Sequence, residues 1–461
     1  MRYTSLLAVA ALIGVSAGSS YAAPSAEDIA KLGKSLTPFG AIKAGNADGT
    51  IPAWDGGICT PPPGYNPVGG MERGGGPYID PFADEKPRLV ITAQNYKDYA
   101  DKLDPGIMEL FARYPDTYRM NVYPTHRTAC FPDWVYKNTI EGAGKAELVG
   151  DAPGLGGDIH AQIPFPIPEN GYQVMWNTVT KYEPANIFFH IDATLTDSSG
   201  SMTHTLNQQV YNYNAYWDTT LDEVPEGEPY WVLISRTFDP PASAGVAQMR
   251  HQFLRADEYD PMAWSYVPGQ RRVRQAPDFT YDTVSTSSGG ILLFDEINGF
   301  DGKMDRFDFK LVGLQEKFVP YNAYAYNAAS NEELSGPDHV NPDLERWELH
   351  RVWVVDATLK PGARHVEKQK IFYVDEDSWN ILSYVGIDHA GEPYHAVYLP
   401  AMQLYDKPMI RNTGNHLYDF NRRMYSLASR AHSPGQPGIQ TVEPYPPYYF
   451  TPDAFAASGV R

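Results

Sequence analysis

The stretch Tyr259 to Pro277, YDPMAWSYVPGQRRVRQAP, places aromatic rings and guanidinium groups within a few residues of each other. Trp264, Tyr266 and Val267 end one expected strand, Pro268-Gly269 turns the chain, and Arg271, Arg272 and Arg274 begin the next. Period-two alternation puts Arg272 and Arg274 on one face of that strand and Arg271 and Val273 on the other. Guanidinium beside aromatic rings can grip a carboxylate or phosphate two-pronged while apolar chains lie alongside. An exposed edge hairpin with solvated arginines fits the same residues equally well. A second stretch, Tyr172, Met175, Trp176, Val179 and Tyr182, repeats at helical spacing and is closed by Pro184. Its apolar stripe is wide enough to dock on a sheet, although such stripes are more often plain core. The expected ligand-binding set is therefore Met175, Trp176, Trp264 and Tyr266 for an apolar part, and Arg272 or Arg274 for an acidic headgroup.

Other chemistry is sparse. RGGGP at Arg73 neither follows a strand nor opens a helix, so it carries no phosphate-loop meaning, and G-x-S-x-G and H-E-x-x-H are both missing. His389 and His395, with Asp388 and Glu392, match no standard metal spacing and read better as a hairpin turn. The run Asp295, Glu296, Asn298, Asp301, Asp305 has the composition of a calcium loop in the wrong register. Glu345 and Glu348 are a carboxylate pair of the kind a glycosidase uses, with nothing in the sequence to place them across a cleft. No catalytic residue, cofactor or metal ligand is singled out. An envelope enzyme or carbohydrate-binding protein acting on polysaccharide stands as the alternative to a ligand carrier.

The elements that must position these residues follow from composition and periodicity. MRYTSLLAVAALIGVSAGSSYAAPSAED has a short positive start, an apolar core and small residues before Ala22, the pattern of a cleaved secretory signal over residues 1–22. No Cys lies near that site, so a non-lipidated protein of the periplasm is expected. Cys59 and Cys130 are the only cysteines, and an isolated pair in an oxidising compartment is expected to form one disulfide. A formal charge of −19 argues against a nucleic-acid partner.

Residues 23–461 are expected to form a single domain: an extended wrap and helical layer over 23–185, an antiparallel sheet over 186–432, and an extended Pro/Tyr-rich tail over 433–461. Short helices are expected at Ser25 to Leu36, Thr92 to Asp104, Gly106 to Tyr114 and Trp134 to Leu148. From Ala185 the pattern changes to period two. In NIFFHIDATLTD, Ile187, Phe189, Ile191, Ala193 and Leu195 share one face. Similar segments follow to Tyr405, joined by turns at Asp197 to Gly200, Pro268 to Gln270 and Asp375 to Ser378. Turns this short make neighbouring strands antiparallel.

The segment Trp-Ser-Tyr-Val-Pro before Arg-Arg-Val-Arg, and the hairpin KIFYVDEDSWNIL (Lys370 to Leu382), resemble strand pairs of the outer-membrane lipoprotein-sorting LolA and LolB carrier superfamily. With FDGKMDRFDFKLVG (Phe300 to Gly313) and WELHRVWVVDATLKPGARH (Trp347 to His365), the chain is similar to an uncharacterised proteobacterial family with a domain-of-unknown-function label placed near those carriers. The resemblance implies an α+β fold: a large curved antiparallel sheet, an unclosed barrel, with helices on its concave side and an apolar cavity between. It also implies a non-enzymatic carrier of a lipid or other amphipathic molecule, with an inner-membrane RND-type exporter and an outer-membrane protein as partners. The chain is about twice the carriers' length, the Gly/Pro wrap and the Pro/Tyr tail being added.

Overall fold

The computed structural model describes residues 24–270, 272–276, 280–285, 288–431 and 434–459. The expected signal peptide and Arg271 lie outside the described residues. Sixteen strands join into one sheet. In chain order they are β1 (Leu89–Ile91), β2 (Met120–Val122), β3 (Asn186–Thr196), β4 (Met202–Asn214), β5 (Trp231–Asp239), β6 (Ala247–Gln252), β7 (Met262–Val267), β8 (Arg272–Gln275) and β9 (Phe307–Pro320). After them come β10 (Trp347–Leu359), β11 (Gln369–Asp375), β12 (Ile381–Ile387), β13 (Pro393–Tyr398), β14 (Asn415–Asp419), β15 (Met424–Arg430) and β16 (Gln440–Thr441).

The main path runs β9-β10-β11-β12-β13-β14-β15-β3-β4-β5-β6-β7-β8, and every step on it is antiparallel. The antiparallel pair β1 and β2 joins the start of β10 through a single parallel pairing, Trp347 with Val122, and β16 continues the edge of β3 beyond β15. β8 and β9 do not pair with each other, so the sheet is open. The expected turns do join β3 to β4, β7 to β8 and β11 to β12.

Register partners in an antiparallel sheet point to the same side, so the pairings sort residues onto two faces. One face, called inner here, carries Phe372, Tyr384, Val397 and Leu417; the other carries Ala396 and Tyr418. All seven residues of β12 are buried, because both faces of the central strands are covered. Helix α1 (Pro105–Arg113), capped by Asp104, lies on the outer face, where Gly106 sits against Ala396 and Tyr398. Helix α2 (Asp133–Gly142) is tied to the chain that follows it, the Thr139 hydroxyl accepting the Ile163 N–H at 3.1 Å. Helix α3 (Gly171–Val179), capped by Asn170, packs on β9 and β10 at the inner face. Helix α4 (Pro452–Gly459) packs on β7 and β8 at the outer face.

Several expected elements differ. Thr92 to Asp104 forms only a single 3-10 turn, Tyr96–Tyr99. Beyond α2, Gly142-Ala143-Gly144 stops the helix, and Ala146–Val149 pairs instead with Gly154–Gly157. Ser25 caps a single turn, Ala26–Ile29, rather than a helix to Leu36. Helices were expected on one side of the sheet; α3 is there, whereas α1 and α4 cover the other side because the outer face of β4 to β7 and of β13 and β14 is apolar as well.

Candidate functional site

A cavity of about 200 Å³ lies between the inner face of β3 to β6 and the segment above it. Its floor is written in the register. Phe189 opposes Val210, Ile191 opposes Gln208, and Ala193 opposes Leu206; across the next strands Asn214 opposes Trp231, which opposes Gln252, and Leu233 opposes Arg250. All of these line the cavity. Its roof comes from Trp176 and Val179 of α3 and from Phe294, Ile297, Phe300 and Met304; Ile381, Leu399 and Ala428 close a third side. The roof segment turns sharply at Asn298, with φ of 56°, and Gly299, with φ of 85°. A Cβ at Gly299 would meet Ile381 at 2.9 Å, so only glycine fits there.

The cavity is amphipathic rather than purely apolar. Arg250 pairs with Asp301 at 2.7 Å, and Gln252 also donates to that carboxylate. Burial pushes the Asp301 pKa up, with Arg250 opposing the rise. Arg411 pairs with Glu183 at 2.5 Å and lies over the Phe189 ring at 4.9 Å. Lys181, half-buried, donates to the Thr178 carbonyl at 3.1 Å. Its pKa is lowered by burial, and Glu183 counters only in part.

The structure separates the residues expected to bind ligand. Trp176 lines the cavity, its indole N–H held by the Pro153 carbonyl at 2.9 Å; Met175 is fully buried beside it in the core and does not line the cavity. Trp264 and Tyr266 sit on the outer face, because Trp264 opposes Met249 and Gln275 while Tyr266 opposes Ala247 and Val273. There they pack with Phe455 of α4, and Trp264 meets His251 edge-on at 4.7 Å. Arg274 opposes Ser265, which opposes Gln248, a cavity residue, so Arg272 and Arg274 belong to the inner face but stand exposed on the edge strand. Rings and arginines of this hairpin are thus on opposite sides of the sheet. The sequence-based set overlooked the hydrogen-bonding floor, Gln208, Asn212 and Asn214, since isolated amides on a strand carry no ligand pattern.

A family model described as "Protein of unknown function (DUF1329)" matches residues 90–456. The chain belongs to this family. It is 39% identical over 425 residues, 91% of this chain and 90% of the relative, to the "Uncharacterized protein PA3922" of Pseudomonas aeruginosa. Among solved structures, it is similar to a DUF1329 family protein from Desulfovibrio piger, at 12% identity and a TM-score of 0.43, over 62% of this chain and 97% of that one. It is also similar to the LolA superfamily protein NE2245 from Nitrosomonas europaea, at 9% identity and a TM-score of 0.36, over 62% of this chain and 100% of that one.

Beneath the roof of this DUF1329 chain lies a buried ionic network. Asp295 accepts from Lys370 at 2.8 Å and His365 at 3.0 Å, and Lys370 also pairs with Glu367 at 2.9 Å. Next to it Glu296 meets His395 at 2.6 Å. Burial opposes charge on His395, but the Glu296 and Asp419 carboxylates raise its pKa to about 10. Glu296, Glu367 and His395 converge closely enough to hold a cation, as do His350, Asp375 and Asp377. In both groups protein cations already supply the charge: Lys370 in the first, and in the second Arg127, which binds Asp377 through two nitrogens.

The calcium-like run does not converge. Asp295 and Glu296 point into the network, Asp301 to Arg250, and Asp305 accepts from Tyr281. Glu348 is fully buried between Arg346, His350, Asn322 and the His126 amide, and Glu345 faces His416; neither lines the cavity. The Asp388 carboxylate accepts the Ala390 and Glu392 N–H groups and caps that turn, and His389 Nε2–H donates to the His365 carbonyl.

Proposed function

We propose that this chain is a non-enzymatic periplasmic carrier of a lipid or other amphipathic molecule, passing it between an inner-membrane RND-type exporter and the outer membrane. The observation that carries the reading is the cavity between the inner face and its roof, lined both by rings and aliphatic chains and by amides and paired charges. Such a lining suits a molecule with unlike ends. Its volume is below the roughly 300–1,000 Å³ typical of sites for drug-sized ligands, so a long apolar chain fills it only if the lining gives way. No helix among the described residues is long and apolar enough to cross a membrane, which fits a carrier that moves between membranes. Arg272 and Arg274, on the inner face at the open edge, steer an acidic headgroup towards the cavity; steering acts on the association rate and is screened by salt.

The test is native mass spectrometry and organic extraction of the protein purified from its own periplasm, followed by titration with a fluorescent fatty acid. Recovery of an amphipathic molecule and saturable binding are expected. No extracted ligand together with no probe binding would overturn the reading. In Arg272→Ala/Arg274→Ala, the association rate at low salt should fall severalfold and its salt dependence flatten.

A further inference from the structure

The cations of the cavity are not all neutralised. Arg250 has Asp301, Arg411 has Glu183, and Lys303 has Asp260 at 2.7 Å. Lys181 lines the same space, and among the described residues its ammonium hydrogen-bonds only to the Thr178 carbonyl; Glu183 and Asp301, the acids that act on it, are each held by an arginine. The cavity wall also carries acceptors with no donor. The side-chain oxygens of Asn212, Asn214 and Asn415 are buried without a hydrogen-bond partner, and all three residues line the cavity.

Backbone contacts bring the lysine and two of these amides to one end. The Asn214 N–H donates to the Ala185 carbonyl at 2.8 Å, and Trp217 Nε1 donates to the carbonyls of Thr180 at 2.9 Å and Lys181 at 3.0 Å. The segment leaving α3 is thereby fixed beside the Asn212–Asn214 end of β4. Buried polar groups in folded proteins are nearly always satisfied, and the Asn212 and Asn214 oxygens are not.

We infer that this end of the cavity is a headgroup site, in which Lys181 binds a single anionic group of the ligand, carboxylate or phosphate, while Asn212 and Asn214 accept from hydroxyl or amide donors next to it. The inference rests on the carrier reading and narrows it to anionic amphipaths held with the head inside the cavity. The opposite end of the floor, Ala193 and Leu206 with Ala428, takes the apolar part. Neutral or cationic amphipaths leave the lysine unpaired and bind more weakly.

Full-length mature protein would be titrated with a long-chain fatty acid, the fatty alcohol of equal length and a monoacyl phosphate. A charge-assisted hydrogen bond to a desolvated group is worth roughly tenfold or more in affinity. Both acids should therefore bind at least about tenfold more tightly than the alcohol, and Lys181→Met should erase that preference. Asn214→Asp, which supplies the missing carboxylate from the protein, should do the same, and melting curves would confirm that both variants fold. Equal binding of acid and alcohol by the wild type, or a preference that survives in both variants, overturns the headgroup site but leaves the carrier standing. Failure of all three probes to bind overturns both. The ratio between carboxylate and phosphate tells which acid the site prefers.

Discussion

Asp295 and Glu296 are adjacent in sequence, yet their charges are balanced by different cations reached from different strands. Burial works against the Asp295 carboxylate, but Lys370 and His365 hold its pKa down at about 2. The unfolded chain, with an ordinary aspartate value near 4, binds more protons than the native state between those two values. Asp295 therefore contributes stability that is present above about pH 4 and is lost as pH falls through about 2, an amount of roughly 2 kcal/mol. Asp295→Asn should lower stability at pH 7 by about 3 kcal/mol, since it leaves Lys370 short of a buried partner, and should flatten the acid limb between pH 5 and 2. Urea midpoints at pH 7, 4 and 3 check this; an unchanged pH slope in the variant would refute it. At this scale the sequence was readable only where spacing alone decides. The lone cysteine pair did form, with Cα atoms 5.4 Å apart. His395 and Glu296 lie 99 residues apart and share no motif, and the acidic run around Asp295 looked like one site because sequence does not reveal which way each carboxylate turns.

Elements were most legible where periodicity is strong. The alternation in the sequence puts Phe189, Ile191 and Ala193 on one face, and all three lie in the cavity floor, while the tight turns fix their antiparallel neighbours. Legibility failed where the signal was a local competition. The tail was expected to be extended; among its described residues 434–436 turn, Gln440–Thr441 is a strand, Pro447–Phe450 forms a 3-10 turn and α4 follows. The start signal was present: Thr451 Oγ1 accepts the Ala454 N–H at 3.3 Å, and Pro452 takes the first helical position. Phe455 of this helix is 2% exposed among Val232, Ile234, Met249 and Tyr266, on the face away from the cavity. Phe455→Ala should thus cost about 3 kcal/mol in chemical denaturation while leaving probe affinity intact. A variant that loses affinity but not stability would mean that the tail belongs to the binding site.

Across the whole molecule, the Cys59–Cys130 disulfide fastens the Gly/Pro wrap to the body beside α2, closing a loop with a sequence separation of 71. On chain entropy alone such a loop is worth about 4 kcal/mol. Cys59→Ser/Cys130→Ser should lose up to that amount, and the wild type should fall to the same melting temperature under reductant. Two free thiols in peptide mapping, with melting indifferent to reductant, would contradict it. The expected single large, unclosed sheet is there, but the order of its strands could not be read from sequence, because one pairing joins distant parts of the chain. Along the main path every strand lies beside the next strand of the sheet in chain order, with one exception, where Thr196 of β3 meets Tyr425 of β15. That seam divides the sheet into two ladders of local hairpins, each able to zip up on its own. Closing it carries the loop entropy of everything between, so it belongs to the slow part of folding. Ile191 and Ala193 on one side of the seam and Asn415 and Ala428 on the other all line the cavity, so the cavity exists only once the two ladders have met. An occupant touching both would hold them together, and by mass action loaded protein should come apart later than empty protein.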